Sequence, residues 1–215
     1  MKVLHISDVH IKNFKYHKQY SEIFESLYEK ARELKPDIII NTGDTAHTKL
    51  EISPSFVEMT AKFFESLSLI APLHIILGNH DLNLTNKDRQ DAITPIVDAL
   101  KNPNIILHKY SEKFTLFDDF NFHVLSIVDE ENWDLNIDET KTNIALFHGS
   151  VKGSQTDKNF TMTHGDIEFS VLEKFDYALL GDIHKTNQSL DFAGHCRYPG
   201  SLIQQNHGET NDKGF

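Results

Sequence analysis

The sequence predicts an α/β protein in which two mixed β-sheets pack as a sandwich flanked by helices. Three observations lead there. Apolar runs of strand length recur along the chain, the stretches between the early runs have helical periodicity, and from about residue 114 helical stretches give way to closely spaced strands. The apolar runs share a further feature, which is that each ends in aspartate, histidine or asparagine.

Val3-Leu4-His5-Ile6 leads into Ser7-Asp8-Val9-His10, and Ile38-Ile39-Ile40 leads into Gly43-Asp44. Ile75-Ile76-Leu77 meets Gly78-Asn79-His80-Asp81, Ile144-Ala145-Leu146-Phe147 meets His148-Gly149, and Tyr177-Ala178-Leu179-Leu180 meets Gly181-Asp182-Ile183-His184. Buried strands that end in polar groups point them into the crevice where open α/β sheets bind ligands.

Between the first two runs, Tyr20, Ile23, Phe24, Leu27, Ala31 and Leu34 recur at helical spacing, and Pro36 ends that helix. Ser53-Pro54 reads as an N-cap and first turn. The helix it opens turns Phe56, Thr60, Phe63, Phe64 and Leu67 towards the sheet. A third helix carries Ile93, Ile96, Val97 and Leu100. Strands alternating with helices indicate a parallel sheet. Phe114 to Phe117 and Phe120 to Val124 then flank Asp118-Asp119 as a hairpin, which opens a mostly antiparallel or mixed second sheet. Residues 1–215 read as a single domain, without repeat or linker.

Composition narrows the function classes. With 39% hydrophobic and 25% charged residues, the 215-residue chain is an ordinary globular sequence able to bury a full core. No apolar run approaches the roughly 20 residues that span a bilayer. Met1-Lys2-Val3-Leu4-His5 becomes polar too early for a signal peptide. A single cysteine, Cys196, excludes an internal disulfide framework, so the expectation is a cytoplasmic protein without membrane contact. A net charge of −11 argues against tight free-standing nucleic-acid binding, though not against a phosphate held by metals.

The strand ends propose that metal site. Asp8 and His10, like Asp182 and His184, are two apart, and on an extended backbone such pairs project to one side. Asp44 follows a glycine at a tight turn where its carboxylate can bridge two cations, and Asn79 and His148 add oxygen and nitrogen donors. Mixed imidazole, carboxylate and amide ligation suits manganese, iron or zinc better than calcium. Two such cations clamp a phosphoryl group and generate a nucleophile from water. His5, His74, His108 and His123 lie within strand-like runs and read as structural, and His164-Gly165-Asp166 follows a polar loop rather than a strand.

In order and spacing, Asp8-Val9-His10, Gly43-Asp44, Gly78-Asn79-His80-Asp81, His148 and Gly181-Asp182-Ile183-His184 resemble the calcineurin-like metallophosphoesterase superfamily. The resemblance implies the αββα fold of that superfamily. It places Asp8, His10, Asp44 and His184 on one metal, and Asp44, Asn79, His148 and Asp182 on the other. His80 would protonate the leaving oxygen, with Asp81 as support. The superfamily usually carries His where Asp182 stands, and the added carboxylate favours manganese or magnesium over zinc.

Gly43-Asp44-Thr45-Ala46-His47-Thr48 lacks the nearby Asp-Arg-Gly of protein serine/threonine phosphatases. Its Asp44 to His47 spacing, the basic loop Phe14-Lys15-Tyr16-His17-Lys18 and the block Tyr198-Pro199-Gly200-Ser201 are similar instead to DNA double-strand-break nucleases of the SbcD type and their phage recombination counterparts. That branch implies a manganese-dependent exo- and endonuclease, acting on DNA as a homodimer with an SMC-like ATPase. Lys15, His17 and His47 would contact the strand. It also implies a C-terminal cap domain and partner-binding segment, expected to be absent here. Two other classes stay open: a small-molecule phosphodiesterase or nucleotide phosphatase, and a non-catalytic scaffold subunit.

Overall fold

The computed structural model describes residues 1–210 and Lys213. The first sheet is four-stranded, with β1 (Val3–Ile6), β2 (Ile38–Asn41), β3 (Leu73–Ile76) and β4 (Ile105–His108) in that order. All its pairings are parallel. Its strands are nearly continuous apolar runs because both faces are covered. On one side, Leu4, Ile6, Ile39, Leu73 and Ile75 pack under three helices: α1 (His17–Leu34), α2 (Pro54–Ser68) and α3 (Thr94–Leu100). On the other, Ile38, Ile40 and Ile76 meet Phe122, Val124, Ile144 and Leu146 of the second sheet.

The helices begin and end for local reasons. The Ser53 side chain accepts a hydrogen bond from Phe56 N, and Pro54 occupies the first turn, as the sequence predicts. Helix α1 ends on Lys35 in a left-handed conformation (φ +51°), with Pro36 barring any continuation. Phe63 is fully buried and its ring lies 4.3 Å from that of Phe24, joining α1 to α2.

The second sheet has six strands, ordered β5 (Glu112–Leu116), β6 (Phe120–Leu125), β7 (Thr142–His148), β8 (Tyr177–Gly181), β10 (Cys196–Tyr198) and β9 (Gln188–Ser189). It is mixed: the β5–β6 hairpin and the β9–β10 pair are antiparallel, whereas the pairs β6–β7, β7–β8 and β8–β10 are parallel. Its outer face is covered by loops and a short 3-10 turn rather than α-helices, with Trp133, Leu135, Ile137 and Phe169 against Phe147, Phe175 and Leu180. The hairpin turn uses left-handed backbone at Phe117 (φ +51°) and Asp118 (φ +59°), which matches the twist of the flanking strands.

A stack of rings ties the two sheets together. His74 of β3 lies over His108 of β4 (5.1 Å), His108 over Phe114 of β5 (4.5 Å), and Phe114 over Phe122 of β6 (5.0 Å). The His108 Nδ1–H donates to Glu112 Oε1 (2.5 Å), and its Nε2 accepts from His74 Nδ1 (2.8 Å). With His5 bonded to Thr42 Oγ1 and His123 to Asp134 O, these four histidines are structural, as their strand positions suggest.

Burial and the neighbouring His108 push the His74 imidazole down from 6.5 to about 4. The unfolded chain therefore takes up this proton first on acidification, so stability falls as pH drops from 6.5 towards 4, by about 1.4 kcal/mol per unit at most. Urea titrations across that window should show the decline, with a shallower slope for His74→Phe. Separately, Phe63→Ala should cost about 3–5 kcal/mol in the same assay.

Candidate metal centre

Loops from both sheets meet at one end of the sandwich. From the first sheet come Asp8 and His10 after β1, Asp44 after β2, and Asn79 and His80 after β3. From the second come His148, the last residue of β7, and Asp182 and His184 after β8. The close approach explains the glycines. A Cβ on Gly78 would strike Asp44 and His148, and one on Gly181 would strike Thr42, Ser7 and His148.

Asp8 and His10 converge, but not by the extended alternation that their spacing suggested. Both have left-handed backbone (φ +53° and +50°), as do Asp44 (φ +54°) and Asp182 (φ +98°). The turn is fixed by hydrogen bonds between loops, with Asp8 N donating to Gly43 O (3.0 Å), His10 N to Asp44 O (2.9 Å) and Ile11 N to Thr45 O (2.8 Å). Such conformations cost about 1–3 kcal/mol each outside glycine and persist only where their surroundings enforce them.

The ligand atoms fall into two groups that share Asp44. Asp44 Oδ2 lies 3.4 Å from His10 Nε2, and its Oδ1 lies 3.4 Å from His148 Nε2. Around the first oxygen, Asp8 Oδ1 is 3.7 Å from both His10 Nε2 and His184 Nε2, and the two imidazole nitrogens are 3.0 Å apart. Around the second, Asp182 Oδ1 is 4.0 Å from His148 Nε2 and accepts from the Asn79 amide at 3.3 Å. Asp8, His10 and His184 form one candidate metal-holding set, Asp8, Asp44 and His148 a second, and His10, Asp44 and His80 a third.

The donors fit divalent cations. His148 donates Nδ1–H to Thr42 O (2.7 Å), which turns Nε2 towards the carboxylates, buried and without a hydrogen-bond partner. Burial would lower the His148 pKa, but Asp44, Asp8 and Asp182 outweigh it and hold it well above the ordinary value. Burial raises the Asp182 carboxyl, and the charges of Asp8 and Asp44 add to this against the pull of His148. Three carboxylates crowded around imidazole nitrogens are stable together when cations lie between them.

Asp81 holds the frame. Its carboxylate is fully buried and accepts from Asp44 N (2.8 Å), Gly78 N (2.9 Å) and Ala46 N (2.8 Å), so it fixes the loops carrying Asp44 and Asn79. His80 lies exposed at the lip, donating Nδ1–H to His47 O (2.8 Å) while its backbone N–H reaches Asp44 Oδ1 (2.8 Å). The His47 ring is 5.7 Å from His10 and 6.1 Å from His80. Burial, with His10, Lys12 and His80 as neighbours, lowers its pKa to about 4 and leaves it neutral at pH 7.

Lys15 is exposed in the loop before α1. His17 is bonded to Lys12 O (2.6 Å) and lines a cleft between α1 and α2, with Phe24 and Phe63. The Tyr198 block supports the centre from behind, since Tyr198 Oη donates to Gly149 O (2.8 Å) and accepts from Val151 N (3.0 Å). Sequence reasoning missed Glu209, which reaches His184 from the last described segment. His164 is exposed and belongs to none of the metal-holding sets, whereas Asp166 braces the loop after β7 through Ser150 N (2.7 Å).

Residues 1–198 match the calcineurin-like phosphoesterase family. The chain belongs to that family. The R555 protein of Acanthamoeba polyphaga mimivirus is 36% identical over 224 residues, covering 97% of this chain but 16% of that much longer protein. A dimetal phosphatase from Danio rerio shares the fold, with a TM-score of 0.54 at 11% identity over 94% of this chain and 86% of that one. The Pseudomonas putida nuclease MPE gives a TM-score of 0.39 at 17% identity, over 66% of this chain and 59% of that one. The calcineurin-like phosphoesterase family uses two divalent metals, and the two groups sharing Asp44 are where this chain would hold them.

Titration of metal-free protein with manganese should therefore show two sites and a rise in unfolding temperature, about 2.7 kcal/mol of stabilisation per site at a hundred times Kd. Asp44→Asn should reduce the stoichiometry and most of that rise together.

Proposed function

We propose that this phosphoesterase is a manganese-dependent nuclease that cleaves DNA phosphodiesters. The observation carrying this reading is the character of the rim. Imidazoles, His47 and His80, border the metal centre where a monoesterase would place a guanidinium. The three arginines lie elsewhere: Arg32 in the last turn of α1, Arg89 beside the α2–α3 groove, and Arg197 bonded to Gly194 O and Asn187. A phosphate monoester brings two negative charges and rewards bidentate arginine, whereas a diester brings one.

DNA as the diester is supported by the resemblance of the His47 spacing and of the loop before α1. Phe14 and Tyr16 in that loop are 79% and 53% exposed and flank Lys15, a pairing of stacking surface with cation that suits a nucleic-acid strand. The bound cations would supply Lewis-acid activation of the phosphoryl group and of water. His80, its Nδ1 anchored on His47 O, offers Nε2 to carry a proton to the leaving oxygen. Asn79 and Asp182, joined by their hydrogen bond, would orient the second cation. The carboxylate of Asp182, in place of the usual imidazole, supports manganese.

The protein then works as a homodimer with an SMC-like ATPase, which would supply the DNA grip that a net charge of −11 denies this chain. Exposed Leu50, Ile52 and Val57 beside the groove between α2 and α3 support self-association. A second reading, hydrolysis of a small nucleotide diester, is favoured by a cleft of 330 Å³ beside Asp182 and His184, near the lower limit for a small-molecule site.

DNA digestion with manganese, magnesium or chelator separates these readings. Manganese-dependent cleavage is expected, with His80→Ala lowering turnover about 10²–10⁴-fold while metal binding is retained. Asp182→His should shift the preference from manganese towards zinc. Turnover of a model diester with intact DNA would replace the nuclease reading with the small-molecule one, and no turnover of either would leave a scaffold subunit.

A further inference from the structure

The imidazoles of the metal centre are not anchored alike. Thr42 O holds Nδ1 of His148, and His47 O holds Nδ1 of His80. Nδ1 of His10 is buried without a partner. Among the described residues, only His184 is held by a charged group: its Nδ1 lies 2.8 Å from Glu209 Oε1. Glu209 stands beyond residue 198, where the family match ends, in a segment without helix or strand.

Nothing about a loop requires a buried carboxylate, and desolvating one is costly unless it is well bonded. The Glu209 side chain is only 5% exposed. Its Oε1 also accepts from Asn206 Nδ2 (2.7 Å), and its Oε2 accepts from Gln205 N (2.9 Å), pairs with Lys213 Nζ (3.2 Å) and meets Ser201 Oγ (3.5 Å). The segment is itself pinned to the metal loops: Ser201 N and Lys213 Nζ both donate to His184 O (3.2 and 2.7 Å), and Lys12 Nζ donates to Gln205 O (3.3 Å). Four donors therefore fix the carboxylate, and its remaining bond goes to a metal-facing imidazole.

We propose that Glu209 is the positioning residue of the metal centre. It holds His184 in the tautomer with hydrogen on Nδ1, orients the ring, and makes Nε2 a stronger donor to the cation shared with Asp8 and His10. Carboxylate–histidine–metal relays of this kind change metal affinity about 10–100-fold when the carboxylate is removed. The inference rests on the metal centre and not on the substrate.

The test is manganese titration of the metal-free full chain by calorimetry, for wild type, E209A, E209Q, H184A and the E209A/H184A pair. E209A should weaken one of the two sites about 10–100-fold, and E209Q, which keeps an acceptor, should recover part of the loss. In the H184A background E209A should change nothing further. Wild-type affinity in E209A, or the same loss with and without His184, would overturn the role of Glu209. A wild-type protein that binds no manganese would overturn the metal centre itself. If E209A does not fold in chelator, proton–nitrogen NMR of zinc-loaded wild type decides. A slowly exchanging, downfield His184 Nδ1–H is expected, and its absence sinks the proposal.

Discussion

Asp8, Asp44 and Asp182 are carried to one point by strands of different sheets, and their mutual repulsion is the constraint around which the molecule is arranged. Asp8 and Asp44 are buried there, so the charges are relieved by imidazoles at 3.4–4.0 Å and by the cations that the family uses. The glycines at the strand ends admit the close approach. The left-handed turns at Asp8, His10 and Asp44 aim the side chains, and Asp81 holds the frame through three backbone N–H groups. Strain of this kind at a functional site is sustained by the rest of the fold.

Much of this was legible in the sequence because the signals are local. An apolar run followed by Asp, His or Asn shows both the strand and the end at which it presents a ligand, and all five such runs became strands. Ser53-Pro54 contains its own capping chemistry. The five blocks also place the chain in its family, which the match over residues 1–198 bears out.

What stayed hidden depends on partners distant in the chain. The backbone at Asp8 and His10 is set by hydrogen bonds to residues 43–45, so the two-residue spacing suggested the right convergence by the wrong geometry. Glu209 lies 25 residues after His184 in sequence, with no periodicity or motif to mark it. The covering of the second sheet by Trp133, Leu135 and Ile137 comes from a stretch that reads as a polar loop. The α3 pattern began one residue early, since Ile93 is the residue before the helix rather than part of it.

The division of the centre between the two sheets also bears on how the protein comes into being. Asp8, His10 and Asp44 are synthesised before His148, Asp182 and His184, and Glu209 comes later still. A nascent or prematurely ended chain therefore carries an acidic half-site and no complete pair of cation positions. Both cation positions are complete only once the ligands of the second sheet have left the ribosome.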